Sequence, residues 1–156
     1  MNSRLANRGF TLLELLFVIV IIAVIVTIIT ISLSKLNSSQ ALDKSADLVT
    51  SIINEARSLT LSSKGDSQYG IQFEASQVIL FKGAAYSSSD PSNIATELNS
   101  LVGLRNITLS GGGTSVVFKR LAGNTDETGT AEIFLKASPT TFRTITISAT
   151  GIVGLD

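Results

Sequence analysis

The stretch FTLLELLFVIVIIAVIVTIITISLSK, residues 10–35, decides the fold of this chain. No charged residue lies between Glu14 and Lys35, and the run Leu15–Ser34 is dominated by Ile, Val and Leu and lacks Gly and Pro. About 20 apolar residues in a helix are enough to cross the hydrocarbon core of a bilayer. The sequence therefore predicts a transmembrane helix, which we place at residues 10–34.

Residues 1–9, MNSRLANRG, form a short polar segment before this helix and carry two positive charges, Arg4 and Arg8. A secretory signal peptide is one alternative, but its apolar region spans roughly 7–15 residues and is followed by a small-residue cleavage site. The apolar run here is longer, and no such site follows it. We therefore expect a retained single-pass helix in the cytoplasmic membrane, with Arg4 and Arg8 holding the N-terminus on the cytoplasmic side.

Glu14 interrupts the apolar pattern near the start of the predicted helix. A carboxylate within a membrane helix costs roughly 3 kcal/mol unless it is paired or lies at the interface, so it is a candidate functional residue. The alternative is that Glu14 lies among the lipid headgroups as a tolerated end charge. Its position alone leaves both interpretations open.

The segment RGFTLLELL, residues 8–16, followed by the long Ile/Val run, resembles the N-terminal signature of type IV prepilins and type II secretion pseudopilins. The resemblance implies that a membrane prepilin peptidase removes residues 1–9 as a leader, cutting between Gly9 and Phe10. It also implies N-methylation of Phe10, and a role for Glu14 in neutralising the α-amino group of a neighbouring subunit during filament assembly. An α-amino group is largely cationic at neutral pH, which suits that pairing.

The predicted helix continues beyond the membrane segment. No Gly or Pro occurs between Phe10 and Lys64, which favours one uninterrupted helix. In residues 35–64, apolar side chains recur at three- and four-residue steps, which predicts an amphipathic continuation that packs on a globular domain. The predicted inward positions are Leu42, Ala46, Val49, Ile53, Ala56 and Leu59 or Thr60.

Residues 65–156 form the predicted globular part, which begins after a helix stop at Lys64-Gly65-Asp66. Short β-rich runs follow, at Tyr69–Glu74, Val78–Lys82, Ile107–Ser110, Ser115–Lys119, Thr130–Leu135, Arg143–Ser148 and Gly151–Val153. Between them we expect a loop at Tyr86–Asn93 and a short helix at Asn93–Leu101 with Asn93 as its N-cap. The predicted fold class is α+β, with the long N-terminal helix packed on a small antiparallel β domain of two sheets.

This later part of the chain is similar to the H-type minor pseudopilins and the FimT-like pilins. The similarity is one of strand pattern and spacing. The segments that carry it are Ala56-Arg57-Ser58, Tyr69-Gly70-Ile71-Gln72-Phe73, Val117-Phe118 and the run Arg143–Gly151.

The composition argues against an enzyme or a metalloprotein. The 156 residues include no His and no Cys, which removes the usual zinc, haem and thiolate ligands and the Cys–His and Ser–His nucleophile pairs. The glycine run at residues 111–113 lacks the Gly-Lys pair of a phosphate-binding loop, so we expect a hairpin loop there. Residues 123–128 cluster oxygen ligands and could hold Ca²⁺, but they lack EF-hand spacing, so a solvated turn is the preferred interpretation. We expect no catalytic residues, no metal and no cofactor.

A DNA-binding minor pilin of a competence pilus is the alternative function. The candidate basic patch comprises Arg105, Lys119, Arg120 and Arg143. Loss of residues 1–9 would remove Arg4 and Arg8, leaving ten basic residues against twelve acidic ones and a net charge of −2. Phosphate binding needs several converging cations, so we expect no nucleic-acid partner.

We therefore expect a structural subunit of a type II secretion pseudopilus or a type IV pilus. The resemblance implies that its partners are other pilin or pseudopilin subunits, the prepilin peptidase, the inner-membrane assembly platform and membrane lipid. It also implies an extracytoplasmic globular head and, after assembly, a periplasmic or extracellular filament. The sequence leaves open which machine the subunit serves and whether it is a major or a minor subunit.

Overall fold

The computed structural model describes residues 10–156, apart from the side chains of residues 31, 32 and 34. Its first element, α1 (Leu12–Leu61), is a single helix of 50 residues. This confirms the prediction of one uninterrupted helix, with ends two or three residues inside the predicted bounds. After α1 comes a 3₁₀ turn, Lys64–Asp66, in which Gly65 has a φ of 63°, a left-handed conformation that glycine adopts without steric cost.

The chain divides into two compact units, one ending at Asn37 and a C-terminal unit comprising Ser38–Asp156. In the first unit, the apolar side chains of α1 are exposed on every side of the helix. By length and composition, α1 is a candidate membrane span. A helix segment that is apolar all round is typical of one solvated by lipid or by other helices.

The C-terminal unit contains eight strands in two antiparallel sheets. The strands are β1 (Tyr69–Phe73), β2 (Gln77–Lys82), β3 (Ile94–Glu97), β4 (Val102–Leu109), β5 (Ser115–Val117), β6 (Gly129–Leu135), β7 (Ser138–Ile147) and β8 (Val153–Leu155). The first sheet has the order β3-β2-β1-β5, and the second has the order β4-β6-β7-β8. This arrangement confirms the predicted α+β class with two antiparallel sheets.

The core lies where the second half of α1 meets the two sheets. One face of the helix is buried, and this confirms the predicted stripe. Its members are Leu42, Ala46, Val49, Ile53, Ala56 and Thr60, with Leu59 partly buried beside them. Phe73 of the first sheet, Phe118 directly after β5, and Ile133 and Ile145 of the second sheet complete the same cluster.

The helix predicted at Asn93–Leu101 is wrong. The segment contains strand β3 (Ile94–Glu97), which pairs antiparallel with β2. Asn93 does not cap a helix, because its side-chain amide donates a hydrogen bond to the Ser87 carbonyl at 2.7 Å. Four residues with β-branched Ile94 and Thr96 suit a short edge strand, and pairing with β2 overrides the weak local preference for a helix.

The prediction of a hairpin loop at residues 111–113 is also wrong. The glycine run does form a loop, but it links β4 in the second sheet to β5 in the first. Sequence alone did not show this change of sheet, because a Gly-rich turn looks the same whether its two flanking strands pair with each other or not.

Candidate assembly site and basic patch

Thr11 lies at the N-terminal end of α1. Thr11 precedes the first helical residue, Leu12, and its Oγ1 accepts a hydrogen bond from the Glu14 backbone N–H at 3.2 Å. Thr11 therefore acts as the N-cap, and Thr11 through Glu14 has the Thr-x-x-Glu pattern of a capping box. Thr11 was not among the predicted site residues, although its spacing from Glu14 was a sufficient sequence signal for this role.

Phe10 and Glu14 both lie at this end of the helix. Phe10 is 82% exposed, and the Glu14 side chain is exposed in the first turn, where the helix dipole favours a carboxylate. The other predicted processing residues, Arg4, Arg8 and Gly9, lie outside the described residues. The geometry therefore presents the predicted first mature residue and the predicted assembly carboxylate together on an accessible helix end.

Two threonine side chains within the apolar part of α1 make hydrogen bonds to the helix itself. The hydroxyl groups of Thr27 and Thr30 donate to the carbonyls of Ala23 and Val26, each at 2.8 Å. In hydrocarbon, a polar group without a partner is costly, so such self-contained hydrogen bonding suits a helix surrounded by lipid or by other apolar helices.

Each cation of the predicted basic patch forms an ion pair with an acidic side chain. The pairs are Arg105–Glu132 at 3.0 Å, Lys119–Asp126 at 2.6 Å, Arg143–Asp43 at 2.8 Å and Arg120–Asp66. All four pairs are partly exposed, so each contributes little to stability. Their effect on the surface potential is larger, because every positive charge of the candidate patch has a negative charge beside it.

The structure also does not bring these cations together on one surface. Arg105 pairs across strands with Glu132, which lies opposite Thr144, so these side chains share one face of the second sheet. Arg143 is the next residue along β7 and therefore points to the other face, where it contacts Asp43 of α1. Two of the four predicted cations thus lie on opposite faces of one sheet.

Arg105 has aromatic neighbours in addition to its ion pair. Its guanidinium lies 4.6 Å from the ring centroid of Phe134 and 5.6 Å from that of Phe142. It also donates a hydrogen bond to the Pro139 carbonyl at 2.9 Å. These contacts hold the Arg105 side chain on the sheet and occupy two of its five N–H donors.

The loop that clusters oxygen ligands is held by its own side chains. The Glu127 carboxylate accepts hydrogen bonds from the Thr125 hydroxyl at 2.8 Å and from the Val117 backbone N–H at 3.2 Å. Asp126 is the ion-pair partner of Lys119. No cluster of three metal-ligating side chains was found among residues 10–156. The contacts are those of a structured turn.

Arg57 of α1 contacts two loops, the one between β5 and β6 and the one between β7 and β8. The Arg57 guanidinium donates a hydrogen bond from Nε to the Gly123 carbonyl at 3.0 Å. Gly151 packs against the same carbonyl with a φ of 75°. Arg57 and Gly151 belong to the segments that carry the similarity to the FimT-like pilins, and the structure shows that they meet in one packing contact.

The loop before β3 contains an aspartate, Asp90, whose pKa lies below its ordinary value. Hydrogen bonds from the Ser92 hydroxyl at 2.6 Å and from the Ser92 backbone N–H at 2.8 Å lower the pKa of Asp90. The nearby charge of Lys82 lowers the pKa of Asp90 further. Asp90 is partly exposed at the surface, so the contact orders the loop and adds little to stability.

Comparison with known proteins supports the interpretation of the N-terminal segment. Residues 4–30 match the family model described as the prokaryotic N-terminal methylation motif. The fold is similar to the crystal structure of the type IV minor pilin FimU from Pseudomonas aeruginosa strain PAO1, with a TM-score of 0.57 and 16% sequence identity. That match covers 74% of this chain and 92% of FimU, and at this identity it establishes the fold.

The chain carries the prokaryotic N-terminal methylation motif and has a fold like that of a type IV minor pilin. The predicted resemblance to type IV prepilins and pseudopilins is thereby confirmed, and the H-type or FimT-like branch is consistent with it. A structural, non-enzymatic role is the one that this motif and this fold support. No curated protein sequence matches the chain.

Proposed function

We propose that this pilin-like protein is a minor subunit of a type IV pilus. In this proposal, prepilin peptidase cuts between Gly9 and Phe10 and methylates Phe10, and the subunit then assembles through α1. Two observations carry the proposal: residues 4–30 match the methylation motif, and the described apolar side chains of α1 before Ser38 are exposed. The similarity to a minor pilin fold supports the choice of subunit class.

The helix end supplies the chemistry of assembly. Once the leader is removed, the α-amino group of Phe10 is a cation four residues from Glu14, and within a bundle of apolar helices neither charge has water around it. A buried unpaired charge costs several kcal/mol, whereas a pair largely offsets that cost. Pairing between the Phe10 amine of one subunit and Glu14 of its neighbour therefore favours one register of helix packing.

The proposed topology follows from the same segment. Arg4 and Arg8 hold the unprocessed N-terminus in the cytoplasm, and the C-terminal unit lies outside the cytoplasmic membrane. Before assembly, the partners are lipid, the peptidase and the inner-membrane platform. After assembly they are the helices of other pilin subunits, which replace lipid around α1 in a periplasmic or extracellular filament.

The composition of assembled filaments tests whether the subunit belongs to a type IV pilus or to a type II secretion system. Sheared surface filaments from the native host are quantified by mass spectrometry against isotope-labelled peptides of this chain. A type IV minor subunit is expected in surface filaments at a small fraction of the major pilin. Recovery only in periplasmic pseudopili, with secretion lost on deletion of the gene, would assign the subunit to a type II secretion system instead.

We predict that the protein binds double-stranded DNA weakly. The four cations of the candidate patch are already paired with carboxylates, and two of them lie on opposite faces of a sheet. A gel shift with the full chain in lipid nanodiscs is expected to show no complex at low micromolar protein. A salt-sensitive complex at that concentration would favour the competence-pilus alternative.

A double variant tests whether ion pairing is what keeps these cations from binding DNA. The double variant Asp66→Asn, Asp126→Asn removes the partners of Arg120 and Lys119 and raises the net charge by two. Its DNA affinity is expected to rise and to become salt-dependent. An unchanged affinity would show that ion pairing is not what keeps these cations from phosphate.

A further inference from the structure

A cleft of about 230 Å³ opens in the C-terminal unit where α1 meets the free side of the first sheet. Leu59 of α1, Leu80 of β2 and Ile94 of β3 form its apolar wall, and Lys64 and Lys82 contribute charged side chains. We call this the edge cleft. A cavity of about 150 Å³ holds one benzene molecule, so the edge cleft has room for one large apolar side chain.

Strand β3 forms the rim of the edge cleft and is the end strand of its sheet. The Leu98 N–H donates to the Ser76 carbonyl, which places the backbone groups of alternate residues, Thr96 and Ile94, toward β2. The N–H and C=O groups of Ala95 and Glu97 therefore point away from the sheet. In the described part of the chain, no strand pairs with this side of β3.

The side-chain layer is incomplete at this edge. Ile94 pairs with Leu80 and shares its face, which is the face that packs on α1. Leu80 is 5% exposed, but Ile94 is 58% exposed because no further strand lies beside it. An added strand would place every second side chain on this same face, so that a residue opposite Ile94 would enter the edge cleft.

The charges around the edge cleft determine which side chain is favoured two residues away from that apolar residue on an added strand. Lys82 lies two residues beyond Leu80 on the same face of β2, and Lys64 lies in the turn after α1. Neither lysine forms an ion pair within residues 10–156, whereas Glu55 supplies one negative charge to the lining. The charged lining residues therefore carry a net charge of +1, with Asp90 near Lys82 but outside the lining. A carboxylate two residues along the added strand would lie in the row of Lys82.

We propose that the free edge of β3 binds an extended segment of a partner protein by β-strand addition. The segment carries an apolar side chain that fills the edge cleft and, two residues away, an acidic side chain that meets Lys64 and Lys82. Main-chain hydrogen bonds to Ala95 and Glu97 supply affinity, and the cleft and the lysines supply specificity. This interaction uses the C-terminal unit and does not depend on assembly through Glu14.

The proposal is tested with a blocked, fluorescein-labelled peptide, SVTFTDTS, whose Phe and Asp have the required spacing. Binding to the full chain in lipid nanodiscs is measured by fluorescence anisotropy, with empty nanodiscs as the background. We expect saturable binding, weakened severalfold when Phe is replaced by Ser or Asp by Asn in the peptide. No saturable binding above the empty nanodiscs would overturn the proposal.

Two variants of the protein separate strand addition from simple adsorption. Ala95→Pro removes an outward N–H without touching the β2–β3 ladder, since proline is tolerated on an edge strand, and it is expected to weaken binding about tenfold or more. Lys64→Met with Lys82→Met is expected to weaken binding roughly three- to fivefold. Lys44→Met, an exposed helix lysine, is the control and is expected to leave binding unchanged. Full binding by the Ala95→Pro variant would contradict strand addition, whatever the lysine variant does.

Discussion

Glu14→Ala is expected to reduce incorporation of the subunit into filaments by about tenfold or more. The substitution leaves the α-amino group of a neighbouring subunit without a counter-charge among packed helices, and an unpaired buried charge costs several kcal/mol. Membrane insertion and cleavage after Gly9 are expected to be nearly unchanged, because neither step requires that pairing. Wild-type and variant chains carrying different tags are co-expressed with the assembly machinery and quantified in sheared filaments.

A set of variants separates the charge of Glu14 from its place in the capping box. Glu14→Gln retains a capping-box side chain and removes the charge, so it is expected to fail like Glu14→Ala. Thr11→Ala removes the cap at a cost of about 1 kcal/mol and is expected to assemble nearly normally. Asp47→Ala, an exposed carboxylate further along α1, is the control. Normal incorporation of both Glu14 variants would show that Glu14 is a tolerated end charge.

Gly151→Ala is expected to destabilise the C-terminal unit by at least about 2 kcal/mol. A Cβ at this position would lie 2.1 Å from the Gly123 carbonyl oxygen, which is the acceptor of the Arg57 hydrogen bond. The φ of 75° adds a left-handed conformation that alanine adopts at a cost of roughly 1–2 kcal/mol. Thermal unfolding of the full chain in nanodiscs, followed by circular dichroism, measures the effect.

Gly154→Ala is the matched control for that prediction. Gly154 lies three residues further along the chain, and a Cβ there would meet no atom within 4 Å. The thermal unfolding midpoint of Gly154→Ala is expected to stay within about 2 °C of the wild type. The midpoint of Gly151→Ala is expected to fall by roughly 5–10 °C. Equal midpoints for the two variants would contradict the packing role assigned to Gly151.

The parts of the fold that follow from local physics were predictable. The absence of Gly and Pro from Phe10 to Lys64 predicted α1, and the spacing of Leu42, Val49 and Ile53 predicted its buried face. The parts set by pairing between strands were not. Ile94–Glu97 is a strand because β2 offers it an edge, and three of its four residues are exposed, so no alternating pattern marks it.

The same distinction holds for the candidate sites. The motif at residues 8–16 is contiguous, so the amino-acid sequence alone locates the proposed processing and assembly residues. The pairing of the basic residues depends on tertiary contacts, because Arg143 meets Asp43 and Arg120 meets Asp66 across long stretches of chain. The fold neutralises and divides the cations of the candidate patch, and their positions in the sequence alone could not show this.

The most direct test of the proposed processing and assembly is the N-terminus of the mature protein. The chain is purified from membranes of a host that carries its own prepilin peptidase and is mapped by intact-mass and peptide mass spectrometry. We expect an N-terminal peptide that begins at Phe10 and carries one added methyl group. An N-terminus at Met1, or one created by cleavage after residue 34, would contradict processing at Gly9 and with it the proposed route into the filament.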